Sequence, residues 1–471
     1  MQVRITAFVL LGALIGAPCK GADDGIRPAY QAGYSRVPSV ECLPDFQRAI
    51  IRTRLKQREG QLIALGLIIP EAQAAHPRFG PILRQSSFSR DAGCCITGTY
   101  LDENAAAGAV EDYNCGARTY DGHLGTDTGG TPFNWAKFTM NGVQVIAGAP
   151  GIILDKEDGV FDRSCGAGPG WNAVYIRHSD GSQAWYGHLK NGSLTKKAIG
   201  QKVVKGEYLG VMGSSGNSSG PHVHLEVYDS EGRLVDPYFG KCNDLNPDTW
   251  WAKQPRYRDS AINLLLLCTT WPADNPCPII ESTNALDTPR PGQLVYFLVY
   301  FRDTAAPQKA SFSIIRPDGR TEYKWTSTVD VSWDVLCQGW TWYIPKDGPL
   351  GTWKFQAGYA GRTYSHTFDV VSKPAPLRLV KLVPSAVKAG TTTAIQIKGE
   401  AFVPGMGVAI SRDLKKDDPA IRVTSVKYKS KTLIVATVEV GLNASPTGHL
   451  VAVVRPDYVQ AFKVNALRIT K

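Results

Sequence analysis

Apolar residues recur with two different periods along this chain of 471 residues. In residues 43–59 they recur about every fourth position, and Phe46, Ile50 and Leu55 fall roughly on one stripe. This period is typical of an amphipathic helix, because residues three or four apart share a helix face. The pattern therefore predicts a short helix within an N-terminal helical region over residues 22–92.

Residues 93–245 follow a different pattern, with short alternating or β-branched runs separated by glycine-rich turns. Such runs are typical of antiparallel strands. Residues 281–373 and 376–471 have the strand spacing of immunoglobulin-like β-sandwiches. Residues 246–280, rich in Pro, Trp and Asp, are predicted to be a linker. The predicted fold is all-β: a short helical segment, an antiparallel β domain and two β-sandwich modules.

The N-terminus predicts export. Residues 1–21 combine Arg4 with an apolar run and then small residues, which is the pattern of a secretory signal peptide. The apolar run is shorter than the roughly 20 residues that a membrane-spanning helix needs, and no later run reaches that length. We therefore expect a periplasmic or extracellular protein without a transmembrane segment.

The ten cysteines suit an oxidising compartment, in which disulfides persist. Removal of the signal peptide takes Cys19 and leaves nine, so one thiol is free or pairs outside the chain. A bridge between Cys115 and Cys165 would connect two parts of the antiparallel domain, and Cys268 and Cys277 are close enough in sequence to close a small loop. Both pairs are hypotheses, because sequence does not fix connectivity.

Positive charge is concentrated in the last module. Residues 376–471 contain 15 Lys and Arg against 6 Asp and Glu, which is +9 of the chain's +10. Within them Lys427, Lys429 and Lys431 alternate, so a strand would place all three on one face. They are interpreted either as a contact for an anionic cell-surface polymer or as guards of a strand edge. No nucleic-acid motif accompanies the charge, so nucleic acid is not a predicted partner.

Two short motifs place imidazoles beside a carboxylate. HLGTD carries His123 and Asp127 four positions apart, hence on one face of an extended chain, with Gly125 leaving room between them. HVHLEV places His222 and His224 on one strand face while its apolar residues face a core. Two imidazoles and one carboxylate form a typical three-ligand zinc set that keeps a fourth position for water.

Other residues near these motifs suit supporting roles. Histidine exchanges protons at neutral pH because its unperturbed pKa is about 6.5, so a histidine beyond the ligand set suits proton transfer. His178, in YIRHSDG, is interpreted as a structural turn residue. Glu226 shares the strand face of His222 and His224, which favours a carboxylate that orients an imidazole.

Three segments, HLGTD, YGHL and GNSSGPHVHLEV, resemble the HxxxD, GHL-type and GxSxGPHxH motifs of M23 peptidases, the lysostaphin-like or LytM-like zinc endopeptidases. The resemblance covers about 150 of the 471 residues and implies a lysostaphin-like antiparallel β fold for residues 93–245. It also implies one zinc ion per chain and two catalytic histidines. The implied ligands are His123, Asp127 and His224, and the implied catalytic residues are His188 and His222.

The same resemblance implies hydrolysis of peptide bonds in peptidoglycan stem or cross-link peptides by a metal-activated water. Either His188 or His222 would take the proton of this water, and the division of roles stays open. One alternative is a secreted protease that acts on Gly-rich proteins through the same chemistry. Another is a non-catalytic factor that binds and activates wall amidases, but such a factor would have lost metal ligands, and all five expected residues are present.

Overall fold

The computed structural model describes residues 26–34, 41–69, 75–273, 277, 281–413 and 417–471. The predicted signal peptide and Cys19 lie outside these residues. The chain divides into two compact units. The first unit contains Met1–Ser35, Arg258–Trp271 and Leu286–Pro374, and the second contains Arg36–Tyr257, Pro272–Ala285 and Ala375–Lys471. No helix in the described part of the chain has the length and apolar character needed to cross a bilayer.

The described residues form mostly strands. The two helices are α1 (Asp45–Ala64) and α2 (Asn134–Thr139). The first twelve strands are β1 (Arg27–Tyr34), β2 (Leu83–Gln85), β3 (Cys95–Thr99), β4 (Thr126–Gly130), β5 (Val143–Ile146), β6 (Gly151–Glu157), β7 (Ala173–Arg177), β8 (Gln183–Gly187), β9 (Lys202–Val203), β10 (Tyr208–Val211), β11 (His222–Tyr228) and β12 (Leu234–Val235). The remaining strands are β13 (Ala261–Cys268), β14 (Leu294–Arg302), β15 (Gln308–Ile315), β16 (Thr321–Val329), β17 (Val335–Tyr343), β18 (Gly351–Tyr359), β19 (Arg362–Val370), β20 (Arg378–Val383), β21 (Ala386–Lys388), β22 (Thr391–Glu400), β23 (Gly407–Ser411), β24 (Ile421–Ser430), β25 (Leu433–Val440), β26 (Gly448–Val454) and β27 (Gln460–Thr470).

The first unit is a sandwich of two antiparallel sheets, ordered β1-β17-β14-β13 and β16-β15-β18-β19. Their inner faces enclose an aromatic core that includes Phe297, Trp340 and Phe355. Strand β1 comes from the N-terminal region that was predicted to be helical, and β13 lies within the segment predicted as a linker. Every residue of β13 is buried, which explains why this apolar run forms a strand.

The second unit contains another sandwich, with sheets ordered β20-β22-β25-β24 and β21-β27-β26-β23. The prediction of one short helix at the N-terminus, an antiparallel β domain and two sandwich modules is confirmed as a fold class. The prediction that three lysines share one strand face is wrong. Lys427 and Lys429 lie on the edge strand β24, but its register shifts between Tyr428 and Ser430, and Lys431 follows the strand.

An eight-stranded antiparallel sheet in the second unit carries the predicted histidine motifs. Its strand order is β3-β4-β11-β8-β7-β6-β9, and β12 pairs with β11. The register places His224 of β11 opposite Asp127 on one side and Gly187 on the other. Because β11 lies between β4 and β8, the three motifs meet although they are distant in sequence.

Helix α1 packs on the face of this sheet that carries His224. Its apolar side, with Ile51, Leu55 and Leu62, is buried against residues that include Leu154, Trp171 and Trp185. The predicted stripe is only partly correct, because Phe46 is 65% exposed and Ile50 is 60% exposed. The buried stripe is rotated by about one position, since it contains Ile51 in place of Ile50.

Among the residues that the structure describes, three disulfides pair Cys94 with Cys95, Cys115 with Cys242, and Cys165 with Cys277. The predicted bridges Cys115–Cys165 and Cys268–Cys277 are therefore wrong. The two long bridges span 127 and 112 residues, so sequence proximity was a poor guide to which cysteines meet. The cysteines without a disulfide among the described residues are Cys42, Cys268 and Cys337, all buried.

Candidate functional site

Strand β11 presents its side chains as the alternation predicts. Val223 and Leu225 are fully buried in the core on one side of the sheet. His224 and Glu226 point to the opposite side, where Glu226 meets Arg48 of helix α1. The alternation therefore fixes which residues face the site.

The three predicted ligands converge on one point. His224 Nδ1 lies 2.8 Å from Asp127 Oδ1 and 3.2 Å from His123 Nε2. His123 Nε2 lies 3.3 Å from Asp127 Oδ1. Strand β4 begins only at Thr126, so His123 reaches the site from the preceding turn rather than from an extended strand, and its Nδ1 donates a hydrogen bond to the Tyr100 carbonyl at 2.7 Å.

Gly125 makes this convergence possible. A Cβ atom at this position would lie 2.7 Å from ring atoms of His224 and 2.7 Å from the carbonyl oxygen of Leu225. Real Cβ atoms do not approach other atoms so closely, and the carbonyl belongs to a central strand that cannot easily move. The glycine therefore supplies the space that the motif predicts between His123 and Asp127.

A buried carboxylate orients the His224 ring. His224 Nε2 lies 2.9 Å from Glu226 Oε1, and Glu226 also accepts hydrogen bonds from Arg48 and Tyr228. Burial opposes ionisation of Glu226, but its hydrogen bond with His224 and the charge of Arg48 lower its pKa to about 2. The ionised carboxylate accepts the Nε2 proton of His224, so the Nδ1 lone pair faces His123 and Asp127. The predicted role of Glu226 as an imidazole partner is confirmed by this contact.

Two further imidazoles lie beside the cluster. His188 follows β8 with a φ of 62°, and its Nδ1 donates to the Ser215 carbonyl at 2.6 Å. His222 Nδ1 donates to the Gly220 carbonyl at 2.8 Å, and the two ring centroids are 4.5 Å apart. Because Nδ1 of each ring carries a proton, the neutral form of each ring has its lone pair on Nε2. His188 Nε2 is buried and has no hydrogen-bond partner among the described residues.

The electrostatic surroundings of the two rings differ. Burial lowers the pKa of His188, and the neighbouring His222 lowers it further. Burial also disfavours the charged form of His222, but the Asp127 carboxylate, the Cys42 side chain and the Gly220 carbonyl together outweigh burial and raise the pKa of His222. Two imidazoles with pKa values displaced in opposite directions suit a division between proton acceptor and proton donor.

A cysteine that no sequence motif indicates completes the cluster. Cys42 Sγ lies 3.6 Å from Asp127 Oδ2 and 3.7 Å from His222 Nε2. Donor atoms of Cys42, His123, Asp127 and His224 all lie within 4.8 Å of one another, and the same holds for Cys42 with His188 and His222. The odd cysteine count was the only signal for a free thiol, and nothing in the sequence connects Cys42 with a carboxylate 85 positions later.

Histidines outside the cluster have structural partners. His178 is buried, and its Nδ1 donates to the Pro150 carbonyl at 2.7 Å, as expected for a structural turn residue. His76 stacks on Trp250 and contacts Asp248. The two imidazoles, the carboxylate and the thiol of the cluster are, by contrast, donors that could hold a divalent metal ion.

Residues 136–237 match the family described as Peptidase family M23. The chain contains an M23 peptidase domain. His188, His222 and His224 lie inside the matched residues, whereas His123 and Asp127 precede them. The structure thus brings two residues from outside the matched segment of the M23 domain next to three from inside it.

Several curated relatives are similar to part of the chain. A protein named DD-carboxypeptidase/endopeptidase Mpg, from Neisseria meningitidis, is 42% identical over 96 residues, which are 20% of this chain and 19% of the relative. An uncharacterized metalloprotease from Haemophilus influenzae is 40% identical over 107 residues, covering 22% and 20%. Peptidoglycan DD-endopeptidase ShyC from Vibrio cholerae is 39% identical over 85 residues, covering 18% and 19%.

The chain spans about a fifth of the length of the relatives it matches. Among solved structures, a chimeric titin Z1Z2 tandem aligns with 39% of this chain and 94% of its own length at 17% identity. The TM-score of this alignment is 0.15, which is too low to bear on the fold.

Proposed function

We propose that the M23 domain is a zinc endopeptidase whose metal ligands are His123, Asp127 and His224. The observation that carries this proposal is the convergence of three donor atoms, from two motifs, with separations between 2.8 and 3.3 Å. Zinc binds nitrogen and oxygen at about 2.0 to 2.2 Å, so ligand atoms of a tetrahedral site lie about 3.3 to 3.5 Å apart. The three atoms are therefore close to the spacing that zinc requires.

The buried setting supports the same assignment. His123 and His224 are each held by a second hydrogen bond, to the Tyr100 carbonyl and to Glu226, so both rings are fixed before a metal binds. Zinc held by two neutral imidazoles and one carboxylate supplies a Lewis acid that polarises a carbonyl and lowers the pKa of water to about 7. One such ion per chain is proposed.

His188 and His222 are proposed to move the protons. Each ring is anchored through Nδ1 to a backbone carbonyl, which leaves Nε2 of the neutral ring as the atom that can accept a proton. One ring accepts the proton of the attacking water. The other stabilises the oxyanion or protonates the leaving amine.

The proposed substrate is a stem or cross-link peptide of peptidoglycan. One relative of this chain is named a DD-carboxypeptidase/endopeptidase, and another is named a peptidoglycan DD-endopeptidase. The secretory pattern of residues 1–21 and the basic residues 376–471 agree with a periplasmic or extracellular wall substrate and with binding to an anionic surface polymer. Hydrolysis of Gly-rich proteins with no action on peptidoglycan would favour the alternative protease.

Metal analysis of the purified full chain tests the zinc assignment. We expect one zinc per chain in the wild type and loss of both zinc and peptidoglycan hydrolysis in His224→Ala, which removes one of three ligands. His76→Ala is the matched control, because His76 contacts Asp248 and lies outside the cluster. Full hydrolysis by His224→Ala, or by the chelated wild type, would contradict the proposal.

Substitution of the other two histidines tests their roles separately. His188→Ala and His222→Ala should retain zinc and lose about 10²- to 10⁴-fold in kcat, as expected when a general acid or base is removed. Loss of zinc from either variant at neutral pH would instead identify that residue as a ligand.

A further inference from the structure

We propose that Cys42 is a fourth protein ligand of the metal site, and that the segment carrying it holds the enzyme closed. The segment consists of residues 41–64, the turn at Cys42 followed by α1, and is called the docking segment below. This inference rests on the proposed zinc site and adds a residue that neither the M23 match nor the sequence motifs include.

The geometry around the sulfur is that of a ligand. A zinc–sulfur bond is about 2.3 Å long, so a tetrahedral site separates sulfur from its neighbouring ligand atoms by about 3.5 Å. Cys42 Sγ lies 3.9 Å from Asp127 Oδ1, the oxygen nearest both imidazoles, and 3.6 Å from Oδ2, and its Sγ and the donor atoms of His123, Asp127 and His224 are mutually within 4.8 Å. With the thiolate bound, all four tetrahedral positions are occupied by protein.

The second observation concerns the proton-transfer pair. His188 Nε2 is buried without a hydrogen-bond partner among the described residues, and it belongs to the same compact group as Cys42 and His222. The sulfur therefore fills the space that both imidazoles face. A catalytic zinc site keeps one position for water, whereas a site with four protein ligands is typical of a structural zinc. The thiol thus excludes water from the metal and from both imidazoles.

Contacts on both sides of Cys42 hold the thiol in this position. Before it, Asn217 Nδ2 donates to the Glu41 carbonyl at 3.2 Å, and at the cysteine itself the backbone N–H donates to the Tyr120 hydroxyl at 3.1 Å. After it, Leu43 is 1% exposed within the apolar cluster under α1. Arg48 then binds Glu226 through Nη2 at 2.9 Å, and both side chains are buried.

These contacts give the docking segment two roles at once. Its helix covers the apolar face of the sheet, and its first turn delivers the thiolate, whose proton leaves to solvent when the metal binds. Deletion of the whole segment would expose the apolar cluster and confound any measurement. Substitution of the cysteine alone separates ligation from packing.

The test compares zinc-loaded wild type with Cys42→Ala by X-ray absorption at the zinc edge. We expect one sulfur neighbour at about 2.3 Å in the wild type and none in Cys42→Ala, with zinc retained by both because three ligands remain. Cobalt-substituted protein should show a thiolate-to-metal charge-transfer band that the substitution removes. Cys337→Ala is the matched control, because Cys337 is another buried cysteine outside the cluster, and its replacement should leave the sulfur neighbour in place.

Hydrolysis should rise when the thiol is removed, in proportion to the fraction of chains that were closed. A closed population of about 99% predicts a gain of about 100-fold in Cys42→Ala. Cys42→Ser controls for a packing effect of alanine, because it preserves the size of the side chain. This variant should also lose the sulfur neighbour and the charge-transfer band.

The outcomes separate this inference from the proposed function. Zinc bound without a sulfur neighbour in the wild type would overturn the role of Cys42 and leave the peptidase proposal intact. An equal rate of hydrolysis by wild type and Cys42→Ala would overturn the closed state. Absence of bound zinc from the wild type and Cys42→Ala alike would count against the proposed function itself.

Discussion

The docking segment and the C-terminal residues 375–471 both pack on the M23 domain through buried polar contacts, but only one of them reaches the histidines. Arg48 of the docking segment binds Glu226, which in turn contacts His224. In the C-terminal region, Tyr458 donates a hydrogen bond to Asp91 at 2.6 Å, and neither residue belongs to the cluster of proposed zinc ligands. The difference is that the contacts of the docking segment lead to an imidazole of the cluster, whereas the contacts of residues 375–471 do not.

The C-terminal contacts are extensive enough to make this region part of the same folded unit. Asp91 also pairs with Lys137 at 2.8 Å, and all three side chains are buried. At another point Arg163 pairs with Asp417 at 2.7 Å. The contrast between the two regions is therefore best tested by single substitutions rather than by truncation.

The largest effect is expected from Arg48→Met. This change removes the cation from a buried pair and leaves the fully buried Glu226 without it, which typically costs about 3 to 5 kcal/mol. We expect a lower free energy of unfolding together with faster reaction of Cys42 with a thiol reagent, because the docking segment loses an anchor. Denaturant unfolding and thiol modification followed by mass spectrometry measure the two effects.

Arg54→Met is the control for this substitution. Arg54 lies on the same helix and pairs with Asp155 at 2.7 Å, but its side chain is 33% exposed and Asp155 is not part of the cluster. The control should leave the reactivity of Cys42 unchanged. Equal thiol reactivity in both variants would mean that the helix as a whole, rather than the Arg48 contact, positions Cys42.

An intermediate effect is expected from Tyr458→Phe in the C-terminal region. Loss of the hydrogen bond to the Asp91 carboxylate should lower the free energy of unfolding by about 1 to 3 kcal/mol. Zinc content and Cys42 reactivity should stay at wild-type levels, since this contact does not reach the histidines. Tyr428→Phe, at an exposed tyrosine of the same region, should change neither stability nor metal content. Altered zinc content in Tyr458→Phe would mean that residues 375–471, like the docking segment, influence the metal site.

The smallest effect on the fold is expected from replacing Lys427, Lys429 and Lys431 together with Gln. All three are exposed, so the free energy of unfolding should change by no more than about 0.5 kcal/mol. Sedimentation with cell walls should weaken at low salt if these lysines bind an anionic polymer. The difference should vanish in concentrated salt, where the screening length falls from about 10 Å at 0.1 M to about 3 Å at 1 M.

A charge-matched triple variant sharpens this test. Lys381, Lys388 and Lys398 are exposed lysines of the same region on other strands, and their replacement with Gln removes the same net charge. If both triple variants lose equal binding, total charge matters and position does not. If neither loses binding, the lysines of the edge strand β24 serve to prevent strand pairing between molecules.

The sequence predicted the site best where residue type and the alternation of a strand both indicate which side chains face the site. The alternation in HVHLEV separates core residues from site residues, and the small size of Gly125 is required by its contact distances. The sequence was less informative about backbone conformation. The four-residue spacing predicts that His123 and Asp127 share one face of an extended strand, but β4 begins only at Thr126 and His123 closes the preceding turn.

Long-range contacts were the part that the sequence could not supply. Cys42 meets its neighbours because α1 packs on the sheet, and the choice of helix face depends on which apolar residues find partners there. The disulfide partners also depend on the complete fold, because Cys115 pairs with a cysteine 127 residues away. Neither kind of contact leaves a periodic signal in the chain.

The position of Glu226 between Arg48 and His224 has a thermodynamic consequence. A carboxylate that stabilises both docking and ligand orientation couples the two equilibria, and such coupling is reciprocal. Metal binding should tighten the docking of α1 by the same factor by which docking tightens metal binding. On the proposed zinc site, the closed form would retain its metal most strongly, and the open form would lose it most readily to chelators.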